Sequence, residues 1–126
     1  LDLGKEYLIQ SICYDRWNAS QMVIDLQNEG VPMEPFGQGF VSMSAPSKQL
    51  ESLILGKEII HNNNPVLKWM ISNTVMEEDS AANIKPSKKK STEKIDGVVA
   101  LVMALGCYMT EGGYNSIYDD RGLLML

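Results

Sequence analysis

The chain has 126 residues, of which 44% are hydrophobic, and a formal net charge of −5 at pH 7. This length fits one domain with its own core, and the acidic balance argues against a general nucleic-acid coat protein while leaving room for a local basic patch. No apolar run reaches the roughly 18 residues of a membrane helix, so we expect a soluble, intracellular protein with no membrane contact.

The first third of the chain predicts a β-α-β unit. The apolar run at 7–13, YLIQSIC, is typical of a buried strand. A helix face follows, with Asn18 as its candidate N-cap and Gly30 as the left-handed residue that ends it. Its apolar positions are Ala19, Met22, Val23 and Leu26. The segment 31–39 predicts a short second strand plus a loop, and a crossover of this length would place the strand parallel to the first.

The remaining segments alternate between helix and turn signals. We expect a helix over 42–59 with a Ser/Pro start and a closing Gly56, then a turn at HNNNP and a short helix beginning at Pro65. Residues 73–90 predict a β-hairpin or extended loop, and a long helix follows from about 92 to 110. A tail completes the chain. The fold class is therefore α/β, or α+β with a mixed sheet.

Asp96 raises a question about the long helix, because it shares a face with apolar residues. These are Val99, Ala100, Met103 and Cys107. A carboxylate buried in such a place needs a cation, a metal or several hydrogen-bond donors. The alternative is a charge favoured by the helix macrodipole, but that benefit fades if the N-cap is Ser91 or Thr92, because Asp96 then lies past the first turn.

Asp15 raises the same question at the end of the first strand, the edge where parallel α/β sheets build their sites. Its alternative role is that of a turn or capping aspartate. An acid at a strand end and an acid on a helix over the same sheet would together suit Mg²⁺ or Mn²⁺, which take carboxylate oxygens. Two such ions about 3.5–4 Å apart can activate water and stabilise the leaving oxygen of a phosphodiester.

A basic stretch, KPSKKKSTEK, leads into the helix that carries Asp96. Its lysines are Lys85, Lys88, Lys89, Lys90 and Lys94. A solvated loop is the simpler interpretation, but lysines without interleaved aromatic residues also suit the backbone of duplex DNA. His61 is more readily a turn residue than a metal ligand, and no phosphate-binding loop for ATP occurs.

Several blocks of the chain, in order, resemble the C-terminal part of phage terminase large subunits. These are YDRWNASQMVIDLQNEG, SAPSKQLESLILGKEIIHNNNPVLKWMISN, NIKPSKKKSTEKIDGVVALVMAL and the ending SIYDDRGLLML. The resemblance implies a ribonuclease H/resolvase-type (RNase H-like) mixed sheet flanked by helices. It also implies a metal-dependent endonuclease that cuts concatemeric double-stranded DNA during packaging. Asp15 in YDRW and Asp96 in KIDG match two of the family's metal-binding acids.

The family also places an acid on a first strand, which residues 1–126 do not supply. Asp2 and Glu6 lie in the lead-in and do not fit that role. We therefore expect residues 1–126 to be the C-terminal part of the nuclease domain, with the first strand and the ATPase domain absent and the metal site incomplete. The implied partners are double-stranded DNA, the terminase small subunit and the portal protein, in the host cell cytoplasm.

Two other functions stay open at this point. The chain could be a non-catalytic module that docks on the portal, the small subunit or the capsid through its tail, with structural carboxylates. It could also belong to another RNase H-like enzyme, such as a resolvase or transposase, in which case it would prefer branched DNA.

Overall fold

The computed structural model describes residues 3–17 and 20–110 of the chain. The chain folds as two compact units, Leu1–Gly37 and Gln38–Leu126. Each unit is described by itself. The expected N-cap Asn18, its neighbour Ala19 and the tail at 111–126 lie outside the described residues.

The first unit contains the expected β-α-β arrangement. Its elements are α1 (Leu3–Glu6), β1 (Ile12–Asp15), α2 (Ser20–Asn28) and β2 (Met33–Phe36). The two strands are parallel, with Ile12 opposite Met33 and Asp15 opposite Phe36. Val23 of α2 is buried, and Gly30 has a φ of 85°. The left-handed glycine predicted after this helix is thus confirmed.

The expected buried strand at 7–13 is wrong in its bounds. Tyr7 and Leu8 are 64% and 87% exposed, and pairing with β2 begins only at Ile12. The amide of Ile12 donates to the carbonyl oxygen of Pro32 at 2.8 Å. The run is apolar and rich in strand formers, but β2 begins at Met33, opposite Ile12, so residues before Ile12 have no partner in this strand pair.

The second unit is mainly helical. Its elements are α3 (Phe40–Leu55), α4 (Pro65–Asn73), β3 (Met76–Glu78), β4 (Ile84–Pro86) and α5 (Asp96–Thr110). Strands β3 and β4 form an antiparallel hairpin, α3 packs on α5 and β4, and α4 packs on α5. The fully buried side chains include Met43 and Leu50 of α3 and Val102 of α5. The α/β class and the predicted hairpin are confirmed. The expected mixed sheet does not occur within residues 3–17 and 20–110, where β1 and β2 form a parallel pair and β3 and β4 a separate antiparallel pair.

The start of α4 follows the sequence signal closely. Asn62 and Asn63 both have positive φ, which makes the HNNNP turn. The Oδ1 of Asn64 then accepts hydrogen bonds from the amides of Val66 and Leu67 at 3.0 and 3.1 Å. Pro65 occupies the first helical position, where its missing N–H costs nothing.

The starts of the two long helices differ from expectation. Helix α3 begins at Phe40, so Pro46 lies inside the helix and is buried there instead of opening it. Helix α5 begins at Asp96, not near Thr92. None of the helices in the described part of the chain is both long and apolar enough to cross a membrane.

Candidate metal and DNA site

Asp96 is the first residue of α5, and its side chain is 69% exposed. The expectation that it is buried is therefore wrong. The amides of Val98 and Val99 bond to the carbonyl oxygen of Ile95 at 3.0 and 3.1 Å, which sets the helix start. The side chain of Ile95 is 1% exposed, so the buried face runs through Ile95 and Asp96 faces solvent.

This position gives the carboxylate the electrostatic support of a helix N-terminus. The amides at the N-terminus of a helix carry a partial positive charge, and a negative side chain there is favoured by about 0.3–1 kcal/mol. The macrodipole role considered for Asp96 thus has the right geometry. It leaves the carboxylate accessible, as a metal ligand or a substrate-facing group must be.

Asp96 and the lysine stretch lie together. The Nζ of Lys88 is 3.6 Å from the Oδ1 of Asp96, and the lysine side chain is 57% exposed. Lys94 is exposed in the segment that separates them. These residues line an open depression of about 430 Å³, together with Ser91, Thr92, Glu93 and Ile95.

The turn that carries Lys88, Lys89 and Lys90, which we call the lysine turn (residues 87–91), is fixed by Val75. The amide of Val75 donates to the Oγ of Ser91 at 3.0 Å, and its carbonyl oxygen accepts the amide of Ser87 at 2.8 Å. Inside the turn, the amide of Ser91 donates to the carbonyl oxygen of Ser87 at 3.0 Å. The hydroxyl of the buried Ser87 accepts the amide of Lys90 at 3.0 Å. The lysine side chains are exposed on a hydrogen-bonded frame.

Lys85 differs from the other lysines of the stretch. It lies on β4, half-buried, with its Nζ 4.6 Å from the centre of the Phe40 ring. This cation–π contact joins the hairpin to the start of α3. Lys85 therefore has a structural role in addition to any contact with a polyanion.

Asp15 is the last residue of β1 and is half-buried. Its Oδ1 accepts the amide of Trp17 at 3.2 Å. This is the turn geometry expected of an aspartate after a strand. The guanidinium carbon of the neighbouring Arg16 lies 5.4 Å from the centre of the Trp17 ring.

The carboxylates suit a hard divalent cation in their donor chemistry, because Mg²⁺ and Mn²⁺ take oxygen ligands. Asp15 belongs to the first unit and Asp96 to the second. No group of three or more His, Cys, Asp or Glu side chains that could hold a metal occurs within residues 3–17 and 20–110. A complete site would thus need ligands beyond those the described residues gather.

Comparison with known proteins identifies the family. Residues 3–111 match the family model described as terminase large subunit, endonuclease domain, so the chain belongs to this family. It is 38% identical over 120 residues to the terminase, large subunit, of Enterobacteria phage HK97, covering 91% of this chain and 23% of that protein. It is 35% identical over 107 residues to protein YmfN of Escherichia coli strain K12, covering 83% of this chain and 24% of that protein.

A solved structure supports the same family assignment. The crystal structure of the HK97 bacteriophage large terminase matches with a TM-score of 0.77 and 36% identity. The match covers 84% of this chain and 22% of that chain. The chain thus spans about a quarter of the length of these relatives. The resemblance seen in the sequence is confirmed.

Sequence reasoning missed the contacts that place Asp96 and the lysines. Ser91 was considered as a helix N-cap, but its hydroxyl accepts the Val75 amide. The contact between Met70 of α4 and Gly97 of α5 was missed as well. A glycine directly after the acid, inside a helical pattern, was the available signal, since it often marks close approach of another element.

Proposed function

We propose that the chain is the C-terminal part of the RNase H-like nuclease domain of a phage terminase large subunit. In the intact subunit this domain cuts concatemeric double-stranded DNA by metal-dependent phosphodiester hydrolysis in the host cell cytoplasm. The terminase small subunit and the portal protein are its proposed partners. Membership of the terminase endonuclease family supports this proposal.

The observation that carries the proposal is the exposed Asp96 carboxylate beside Lys88 of the lysine turn. A nuclease needs negative ligands for its cations next to positive groups for the DNA backbone, and this loop-to-helix junction offers both. The frame of Ser87, Ser91 and Val75 holds the lysines in one place.

The roles of the side chains follow from their chemistry. Asp15 and Asp96 would supply carboxylate oxygens to one or two Mg²⁺ or Mn²⁺ ions. Bound there, the ions supply water activation and stabilisation of the leaving oxygen. Lys88, Lys89, Lys90 and Lys94 would neutralise phosphates and hold the duplex in register, with Lys85 at the edge of the same surface.

The test uses the full-length large subunit with plasmid DNA and Mn²⁺. We expect Asp15→Asn and Asp96→Asn each to slow cleavage about 100-fold or more, since losing only an outer partner of a metal ligand costs roughly 10–100-fold. Asp25→Asn on α2 and Glu51→Gln on α3 are the controls, because both are exposed acids that do not line the depression beside Asp96. They should cleave at the parent rate.

Parent-like cleavage by both Asp15→Asn and Asp96→Asn would contradict the assignment. Equal losses in Glu51→Gln and Asp96→Asn would also contradict it, because general loss of negative charge would then explain the effect. Circular dichroism and thermal melting of each variant keep loss of the fold separate from loss of a ligand.

A further inference from the structure

The start of α5 is held by a methionine of another helix. The amide of Gly97 donates to the Sδ of Met70 at 3.3 Å. A Cβ atom added to Gly97 would lie 2.8 Å from the same sulfur and 3.6 Å from the Cδ1 of Leu67. Helix α4 thus crosses directly over the residue that follows Asp96.

The contact supplies a hydrogen-bond acceptor to one of the backbone amides at the start of α5. The first amides of an α-helix have no intrahelical acceptor and must be paired from outside. Val98 and Val99 bond to the carbonyl oxygen of Ile95, and the Gly97 amide bonds to the thioether. A thioether sulfur is a weak acceptor on a polarisable, apolar side chain, so it both packs against the turn and pairs the amide.

Met70 lies on a helix that is capped at both ends. The Oδ1 of Asn64 caps the N-terminus of α4, and the hydroxyl of Thr74, its C-cap, donates to the carbonyl oxygen of Met70 at 2.7 Å. The sulfur therefore approaches α5 from a well-defined helix that packs on α5. The side chain of Asp96, by contrast, is largely exposed and gains little orientation from packing.

We propose that Met70 is a positioning residue for Asp96. Met70 pairs the Gly97 amide and fills the space next to it. In this way it fixes the position of the first turn of α5 along and around the helix axis, and hence the direction of the Asp96 carboxylate. This inference rests on the proposed metal-binding role of Asp96. Met70 itself touches neither metal nor DNA in this assignment.

The decisive variant is Met70→Leu, which conserves volume and loses the acceptor. Met103→Leu is the matched control. Met103 is a buried residue of α5, seven residues beyond Asp96, and its Sδ accepts a hydrogen bond from the Gln38 Nε2 at 3.4 Å. The distance along the axis is roughly 10 Å, so this change leaves the first turn intact.

Amide exchange on the 126-residue chain reports on the first turn of α5. The Gly97 amide should exchange with solvent faster in Met70→Leu than in the parent, while Met103→Leu should leave it unchanged. Calorimetric titration of the full-length subunit with Mn²⁺ should show weaker binding in Met70→Leu than in Met103→Leu.

The full-length subunit supplies the kinetic readout. We expect the Mn²⁺ concentration for half-maximal cleavage to rise about tenfold in Met70→Leu, at the low end of outer-shell effects. The maximal rate at saturating Mn²⁺ should stay near that of the parent. Higher Mn²⁺ should thus rescue this variant, whereas general destabilisation would lower the maximal rate.

The possible outcomes distinguish failure of the metal-binding role of Asp96 from failure of the positioning role of Met70. If Asp96→Asn cleaves like the parent, the metal-binding role fails, and this inference with it. If Asp96→Asn is inactive while Met70→Leu matches Met103→Leu in Gly97 exchange and in Mn²⁺ dependence, the positioning role of Met70 is overturned and the proposed function stands.

Discussion

The Nζ of Lys88 and the Oδ1 of Asp96 lie 3.6 Å apart, so the lysine turn places a cation beside the carboxylate that we assign to the metal. Both side chains are more than half exposed, which keeps the strength of this ion pair low. A divalent ion that binds Asp96 would displace the ammonium group. Lys88 would then be available to a phosphate of the DNA.

This competition predicts the behaviour of Lys88→Met. Removing the competing cation should tighten Mn²⁺ binding by about twofold to fivefold at low ionic strength, the range expected of an exposed ion pair. The slope of DNA affinity against salt concentration should fall by about one. Calorimetric titration with Mn²⁺ and fluorescence titration with duplex DNA measure the two effects.

Lys89→Met is the control for that experiment, because Lys89 lies in the same turn and no ion pair joins it to Asp96. It should reduce the salt slope without changing Mn²⁺ affinity. Equal Mn²⁺ affinities in the two variants would show that Lys88 does not compete for Asp96.

Gly97→Ala should destabilise the protein. Alanine in a helix is normally favoured over glycine by up to about 1 kcal/mol, but here its Cβ would lie 2.8 Å from the Met70 sulfur. Overpacking of this kind costs roughly 1–3 kcal/mol, so the steric term should win. Urea denaturation gives the free energy of unfolding. A stabilised Gly97→Ala would mean that the Met70 side chain moves aside at little cost.

Asp79 should give the hairpin a pH-dependent stability. Its Oδ2 accepts the side-chain amide of Asn83, and its Oδ1 accepts the backbone amides of Asn83 and Ala81. These bonds, led by the Asn83 side chain, hold the pKa of Asp79 below its ordinary value. A lowered folded-state pKa stabilises the fold above the unfolded pKa of about 3.9, and this stability is lost as pH falls through the folded pKa.

Asp79→Asn therefore should melt at a lower temperature than the parent at pH 7. The difference should shrink as the pH drops below about 3.9 and disappear once the parent carboxylate is protonated. Glu78→Gln, an exposed neighbour in β3, is the control and should melt close to the parent at both pH values. A pH-independent difference would point to lost packing instead of lost charge.

Ser91→Ala should loosen the lysine turn. The Val75 amide loses its acceptor, at a cost of about 0.5–1.5 kcal/mol at this exposed site. DNA affinity should fall while its salt slope stays constant, because the number of lysines is unchanged. Ser80→Ala, in the exposed hairpin turn, should alter neither stability nor affinity. A changed salt slope in Ser91→Ala would contradict this view of the turn.

Local signals in the sequence were sufficient for much of the fold. The β-α-β unit, the hairpin and the α4 start were all predicted, because their determinants lie within a few residues of each other. The cap at Asn64 followed by Pro65 is an example, since both act on the same turn.

The start of α5 could not be predicted, because it depends on contacts across the chain. Ser91 looks like a helix cap in the sequence, but its hydroxyl pairs with Val75, sixteen residues away. Helix α5 begins at Asp96, and its buried stripe passes through Ile95, Val98 and Val102. Asp96 lies at the exposed border of that stripe together with Ala100, so neither of these two residues is buried as expected. The roles of Asp15, Asp96 and the five lysines stay predictions.

The double attachment of the lysine turn to Val75 has a consequence for binding kinetics and affinity. Both backbone groups of Val75 are engaged, one with Ser87 and one with Ser91, so the turn and the adjoining β3 strand should open as one cooperative unit. The backbone entropy of ordering this segment is thus lost during folding, before any polyanion arrives. Association then requires only the ordering of the lysine side chains themselves, which leaves more of the electrostatic attraction to appear as affinity.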